Sequence, residues 1–447
     1  MSKSAQTPAW LHVVGTDKYI NNALRALASR ESKRYTARNA SLESQQRADK
    51  PNPPSSGVSK TLFSLIARKD SGKADLFQRH VVHYSIAAGA HEDHQEMNRY
   101  MDIIPYDRTR VVVLHEGSYG GSENAEGLWH GRYLNASWVQ ERYGHRWWIA
   151  AQAPLQYTAH AFLSVMLQPI GHPPDMSTSS ACASSPSRPY RVRTVVQLTR
   201  NIENGRRKAD PYFPNEIGKS VIVPPEEGCH ASALKVTLLD RRSIEDAHCI
   251  QSTVSIVPLN ASPTKTIKSR QFTSTDHDDE DYYGEENHAQ EIIFNHLLYL
   301  SWPDHGVPDS EDRDSLLAFL HLVDRTNRDT SRCPVHVGAS SDHVCPEVDA
   351  DPPIMVGCSA GVGRTGSFIA LSSLLRHCGF LPLTAQHTCP CVDHESPLGP
   401  IPNEFKDDLV IQEIDSLREQ RPGMVQRPEQ VLLIYEVLAN AFHDAGP

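Results

Sequence analysis

Eight residues, Cys358-Ser359-Ala360-Gly361-Val362-Gly363-Arg364-Thr365, constrain this chain more than any other stretch. The apolar run Ile354-Met355-Val356 before them reads as a buried strand, and Gly366-Ser367-Phe368-Ile369-Ala370-Leu371 after them begins a helix. A short glycine-rich turn between strand and helix points successive backbone N–H groups into one concavity. With a helix N-terminus behind it, that concavity suits a dianionic phosphate. Ser359, Ala360, Gly361, Val362 and Gly363 supply the amides, and the planar fork of Arg364 grips two phosphate oxygens. The same positive field holds Cys358 as a thiolate, the form that attacks. Chemistry and spacing together predict a cysteine that attacks a phosphate ester.

Two rival patterns overlap the loop. A nucleotide-binding loop needs two glycines five positions apart and then a lysine; Gly357 and Gly363 are six apart, and Arg364 stands at the lysine position. Gly357-Cys358-Ser359-Ala360-Gly361 also matches the G-x-S-x-G elbow of hydrolases, with Asp415 and His443 downstream as nominal triad partners. That pattern is short and leaves Arg364 without a purpose.

The loop resembles the signature of the protein tyrosine phosphatases, in which a cysteine is followed, after five intervening residues, by arginine, Ser or Thr, and glycine. Further segments resemble that family in the family's own order. Asn98-Arg99-Tyr100 with Asp102 is similar to its phosphotyrosine-recognition loop. Tyr133-Leu134-Asn135-Ala136-Ser137 and Ile149-Ala150-Ala151-Gln152-Ala153-Pro154 resemble framework segments. Glu203-Asn204-Gly205-Arg206-Arg207-Lys208, followed by Tyr212-Phe213-Pro214, resembles the loop behind the active-site arginine. Trp302-Pro303-Asp304 looks like the mobile acid loop, and Arg421-Pro422-Gly423-Met424-Val425-Gln426 with Gln430 looks like the glutamine loop. The resemblance, to the non-receptor type, runs from about Asn98 to Gln430.

It implies roles residue by residue. Cys358 is the nucleophile and Arg364 the phosphate ligand; Thr365 hydrogen-bonds the sulfur and helps it leave, and it also suits the cap of the following helix. Asp304 is the general acid for a phenolic leaving group, which titrates near ten and leaves poorly without a proton. Gln426 and Gln430 orient the hydrolytic water. Glu203 fixes Arg364, and Lys208 reaches Asp304 when the lid closes. Tyr100 walls a cleft deep enough for phosphotyrosine but too deep for phosphoserine, and Asp102 holds substrate backbone amides. No metal or organic cofactor is implied. The partners implied are tyrosine-phosphorylated proteins, a MAP kinase among them by likeness to fungal members.

The sequence departs from the family at two points. His305 replaces the usual Phe of the acid loop, and Gly357 replaces the His before the nucleophile. That imidazole helps lower the thiol pKa. Without it the loop dipoles and Arg364 remain, and activated thiols extend up to about 7.5. At that limit about a quarter is thiolate at pH 7, so slowed catalysis is the expectation. A weakened protein that binds phosphotyrosine as a scaffold is the alternative. The missing His and the long insertions point, within the family, to its fungal members.

A chain of 447 residues, 39% of them hydrophobic, has enough for a sizeable core, and the spread of motifs argues for one enlarged domain. The expected division is an N-terminal helical and linker extension over 1–60 and one catalytic domain over 61–447. Strand-like runs alternate with helical ones, giving an α/β (α+β) fold, a twisted mixed sheet flanked by helices, and the family has this architecture too. Pro-, Ser-, His- and acid-rich stretches near 171–191, 274–287, 330–353 and 381–402 read as surface insertions. Residues 21–42 read as one or two helices and 49–59 as a linker. The net charge of −10 argues against nucleic acid and membrane as partners. No run approaches a membrane span and the start shows no signal peptide. Nine cysteines, one of them needed free, suit a reducing compartment: the cytoplasm, or the nucleus. Cys389 and Cys391 with His387 and His394, and Cys333 and Cys345 with His336 and His343, lack paired metal-ligand spacing and read as loop residues.

Overall fold

The computed structural model describes residues 8, 11, 17–48, 71–113, 131–167, 191–259, 291–304, 306–331, 350–384 and 396–444. His305, the linker at 49–59, the acidic run 274–287, most of the other three expected insertions and both cysteine–histidine clusters lie outside these residues.

A long helix α1 (Asp17–Ala48) is followed by α2 (Ser71–His83) and the short turns α3 (Ala87–Ala90) and α4 (Glu92–Gln95). Next come β1 (Arg110–Val113), β2 (Arg132–Gln140), β3 (Trp147–Gln152), α5 (Ala159–Leu167) and β4 (Thr194–Gln197). The small hairpin β5 (Ile202–Glu203) and β6 (Arg206–Arg207) precedes β7 (Ser220–Val223), β8 (Leu234–Ile244), β9 (Cys249–Pro258) and β10 (Ile292–Tyr299). The chain closes with α6 (Arg313–Arg328), β11 (Ile354–Cys358), α7 (Gly363–His377), α8 (Leu409–Gln420) and α9 (Pro428–Asp444).

Nine strands make one mixed sheet in the order β1-β2-β3-β11-β4-β10-β9-β8-β7. The central strands β3, β11, β4 and β10 run parallel, and the flanks are antiparallel. Parallel strands need both faces covered, and side-chain alternation supplies two apolar faces. Ile354, Val356 and Cys358 of β11, Trp148 and Ala150 of β3, and Val196 of β4 face one core, shared with α6, α7, α8 and α9. Met355, Ile149, Ala151 and Val195 face the other, shared with α5. The mixed sheet flanked by helices is the expected class. Helix α7 begins at Gly363, with Val362 at its N-cap, so Thr365 lies inside the first turn and is not the cap. Cys358 thus ends one of the central parallel strands, and open sheets place their ligands beyond the strands' carboxyl ends.

Candidate active site

The loop after β11 is wrapped by its carbonyls on the outside. Arg421, fully buried, donates from Nε to Gly361 O (2.8 Å) and from Nη2 to Ala360 O (3.0 Å). The same guanidinium reaches Asn135 Oδ1 at 2.9 Å and Ser137 Oγ at 3.2 Å on β2. With those carbonyls turned outward, the amides of Val362 and Thr365 turn inward to the Cys358 sulfur. Gly361 has φ +70°, and a Cβ there would sit 2.2 Å from Ala151 O, so the turn requires glycine. Gly357 needs glycine for a different reason. Its backbone pairs with Ala151 on one side and Gln197 on the other. A Cβ would lie 2.7 Å from Ala151 O.

Cys358 is 6% exposed. Burial alone would raise its thiol pKa; the Arg364 charge, the Thr365 hydroxyl and the amides of Thr365 and Val362 outweigh that and hold it below the ordinary value. The Thr365 hydroxyl is buried with no well-aligned partner of its own, which leaves it for the sulfur.

Arg364 donates from Nη1 to Leu198 O (3.0 Å) and Glu203 Oε1 (2.7 Å), and from Nη2 to Glu203 Oε2 (2.8 Å) and Asp304 Oδ1 (3.4 Å). None of these bonds uses Nε. Burial pushes Glu203 up, but the paired Arg364, with Thr199 Oγ1 at 2.9 Å and Arg200 N at 3.0 Å, brings it below the usual carboxylate value. Asp304 is also paired with Lys208 Nζ at 2.8 Å. Its loop is rooted by Trp302, a buried side chain whose Nε1 donates to Gly306 O at 3.2 Å.

Tyr100 is half-exposed at 36%, and its hydroxyl meets Ser359 Oγ at 2.8 Å, while Ser359 in turn donates to Lys208 O at 2.8 Å. Arg99 fixes the Tyr100 backbone through Ala153 O, Pro154 O and an ion pair to Asp210 at 2.7 Å. Those partners of Ser359 exclude the hydrolase-elbow pattern, and Asp415 is committed to Arg30 and Arg34 of α1. Gln430 is buried, lies against Gly363 and accepts from Arg427 N at 3.1 Å. The structure therefore gathers Cys358, Ser359, the loop amides of Ala360–Gly363, Arg364, Thr365, Glu203, Lys208, Asp304, Tyr100 and Gln430. Asp102 and Gln426 are exposed and make no hydrogen bond to the others.

The Protein-tyrosine phosphatase family model matches residues 94–169 and 189–380, more than half of the chain. The chain belongs to this family. Human receptor-type tyrosine-protein phosphatase H is 27% identical over 353 residues, 79% of this chain and 22% of that protein. Mouse tyrosine-protein phosphatase non-receptor type 18 is 25% identical over 358 residues, 80% of this chain and 54% of its own. The chain thus spans from about a fifth to about half the length of these curated relatives. Among solved structures, the catalytic domain of human protein tyrosine phosphatase non-receptor type 18 aligns at 20% identity and a TM-score of 0.47, covering 85% of this chain and 98% of that one. No helix among the described residues is long and apolar enough to cross a membrane.

Three residues of the site are given no role by the sequence alone. Arg421 lies inside a recognised segment without a role, because an arginine is normally exposed and only the fold shows the loop carbonyls it binds. Asn135 and Ser137 look like surface polar residues but lie on the buried β2.

Proposed function

We propose that this phosphatase-family chain hydrolyses phosphotyrosine in protein substrates through a phosphocysteine. The observation carrying this reading is the lowered Cys358 thiol at the centre of inward amides, with Arg364 beside it and Asp304 within reach. The thiolate attacks phosphorus, the P–O bond to the phenol breaks, and Asp304 gives its proton to the departing oxygen. A water oriented by Gln426 and Gln430 then attacks phosphorus, returning a proton to Asp304, and the P–S bond breaks to release phosphate and thiolate. Phosphoryl oxygens replace Asp304 on Arg364 during the first step, which frees the carboxyl group to meet the leaving oxygen. Tyr100 lining the cleft favours phosphotyrosine over the shorter phosphoserine, and the exposed Asp102 holds the peptide amides. A tyrosine-phosphorylated MAP kinase is the protein substrate to try first.

The test is turnover by the purified chain of phosphotyrosine and phosphoserine peptides, with and without a chelator. Comparable rates on the two peptides, loss with the chelator, or no turnover at all contradicts the proposal; the last result leaves a phosphotyrosine-binding scaffold. Asp304→Asn sharpens it. Turnover of a phenolic ester should fall by about 10²–10⁴-fold, and an ester with an acidic leaving group should fall far less.

A further inference from the structure

The side chain proposed to orient water, Gln426, makes no hydrogen bond of its own, so its direction is set by the turn it leaves. That turn is unusual. Val425, the residue before it, is fully buried and has φ +53°, a left-handed conformation that β-branched side chains avoid. Something must hold it there. On one side, Val425 N donates to Val362 O of the phosphate loop at 3.2 Å. On the other, Arg418 of α8 donates from Nε to Met424 O at 2.9 Å and from Nη2 to Val425 O at 2.8 Å, gripping the carbonyls that flank the strained residue. Its remaining nitrogen, Nη1, donates to Leu27 O in the middle of α1 at 3.2 Å.

Arg418 is 7% exposed, and all three bonds go to backbone carbonyls. A buried guanidinium that spends its fork on a backbone turn fixes geometry, because three donors in one plane fix the acceptors relative to one another. The anchoring end is itself rigid. Arg30 and Arg34 of α1 pair with Asp415 at 2.9 and 2.6 Å, and Arg34 with Glu419 at 2.6 Å, all on the helix that carries Arg418.

We propose that Arg418, braced by α1, is a positioning residue for hydrolysis of the phosphocysteine, holding Val425 left-handed so that Gln426 meets the attacking water. The inference rests on the phosphatase reading and concerns only its second step. It is tested on the full chain by stopped-flow turnover of p-nitrophenyl phosphate. There the burst of phenol reports attack by Cys358, and the linear phase reports hydrolysis of the intermediate.

Arg418→Met keeps the apolar stem and removes the donors; Arg418→Lys keeps the charge and loses the fork. In Arg418→Met the burst rate should stay within about twofold while the linear phase slows by about 10–100-fold, the scale of an ångström's misplacement. Arg418→Lys should fall between. Should Arg418→Met fail to fold, Arg418→Lys alone decides, with a selectively slowed linear phase as support. Equal slowing of both phases in folded protein, or a linear phase unchanged, overturns the inference and leaves the phosphatase reading standing. No release of phenol by the wild-type chain overturns both.

Discussion

Gly357→Ala is the smallest change that tests how the nucleophile's strand is packed. The new methyl carbon would meet the Ala151 carbonyl oxygen at 2.7 Å, several tenths of an ångström short of ordinary contact. Neither partner can retreat freely. Gly357 pairs in register with Ala151 and with Gln197, and its carbonyl accepts from Leu198 N at 2.8 Å. Two terms oppose each other. Removing a glycine from the unfolded chain stabilises by about 0.5–1 kcal/mol, and overpacking a close-packed site costs about 1–3 kcal/mol. The second wins, so Gly357→Ala should lose about 1–2 kcal/mol. In thermal melts a kilocalorie moves the midpoint by about 2–4 °C in domains of 150–250 residues, and by less in a larger one. A drop of a few degrees, matched by a lower urea midpoint at unchanged slope, is the expected result. Gly357→His carries the same Cβ and should be at least as unstable. It should bring no shift of Cys358 alkylation to lower pH, because the loop already holds the thiol down. A raised midpoint for Gly357→Ala, or a stable Gly357→His whose alkylation profile moves to lower pH, would refute the close-packing argument.

Arg364→Met should leave burial as the dominant influence on Cys358, so its thiol pKa should rise and iodoacetamide labelling at pH 7 should slow by about tenfold for each unit gained; an unchanged labelling rate would show that the amides suffice. Glu203 is held below its usual value in the fold, so its contribution to stability is present above the unfolded value of about 4.3 and is lost as pH falls through the lower folded value. The stability gap between wild type and Glu203→Gln should therefore narrow from pH 7 to pH 3 in urea titrations. Glu413 behaves oppositely: burial first, then the neighbouring Glu141 charge, pushes it up to about 8. The folded chain keeps a proton there that the unfolded chain sheds above about 4.3, so wild type should lose stability as pH rises from 5 to 8. Glu413→Gln should abolish much of that loss, on the order of several kcal/mol, and equal melting curves for the two proteins at pH 8.5 would contradict it.

The phosphate loop and its strand and helix were legible because glycines, a cysteine and an arginine at fixed spacing leave few conformations that use them all. Strand β2 was not. Its residues Asn135 and Ser137 are polar yet buried, since Arg421 binds both, and this breaks the alternation that marks a strand. The start of α7 was read three residues late because Gly363, Arg364 and Thr365 serve the loop and carry no apolar period. Arg30, Arg34 and Arg38 recur every fourth residue on α1 and look like a solvated stripe, but all are buried. The carboxylates of Asp415 and Glu419 that bind the first two lie several hundred residues away along the chain, where no local pattern can announce them.

That buried arginine stripe decides what a working fragment must contain. Recognition of the family begins at residue 94, and a truncation designed on that boundary would omit α1. Asp415 and Glu419 would keep their place inside the protein and lose Arg30 and Arg34. Stripping one partner from a buried ion pair costs about 3–5 kcal/mol, against a net stability of about 5–15 kcal/mol for a whole domain. Cutting at the recognisable edge would therefore remove a large share of that stability, and expression plasmids should start upstream of Asp17.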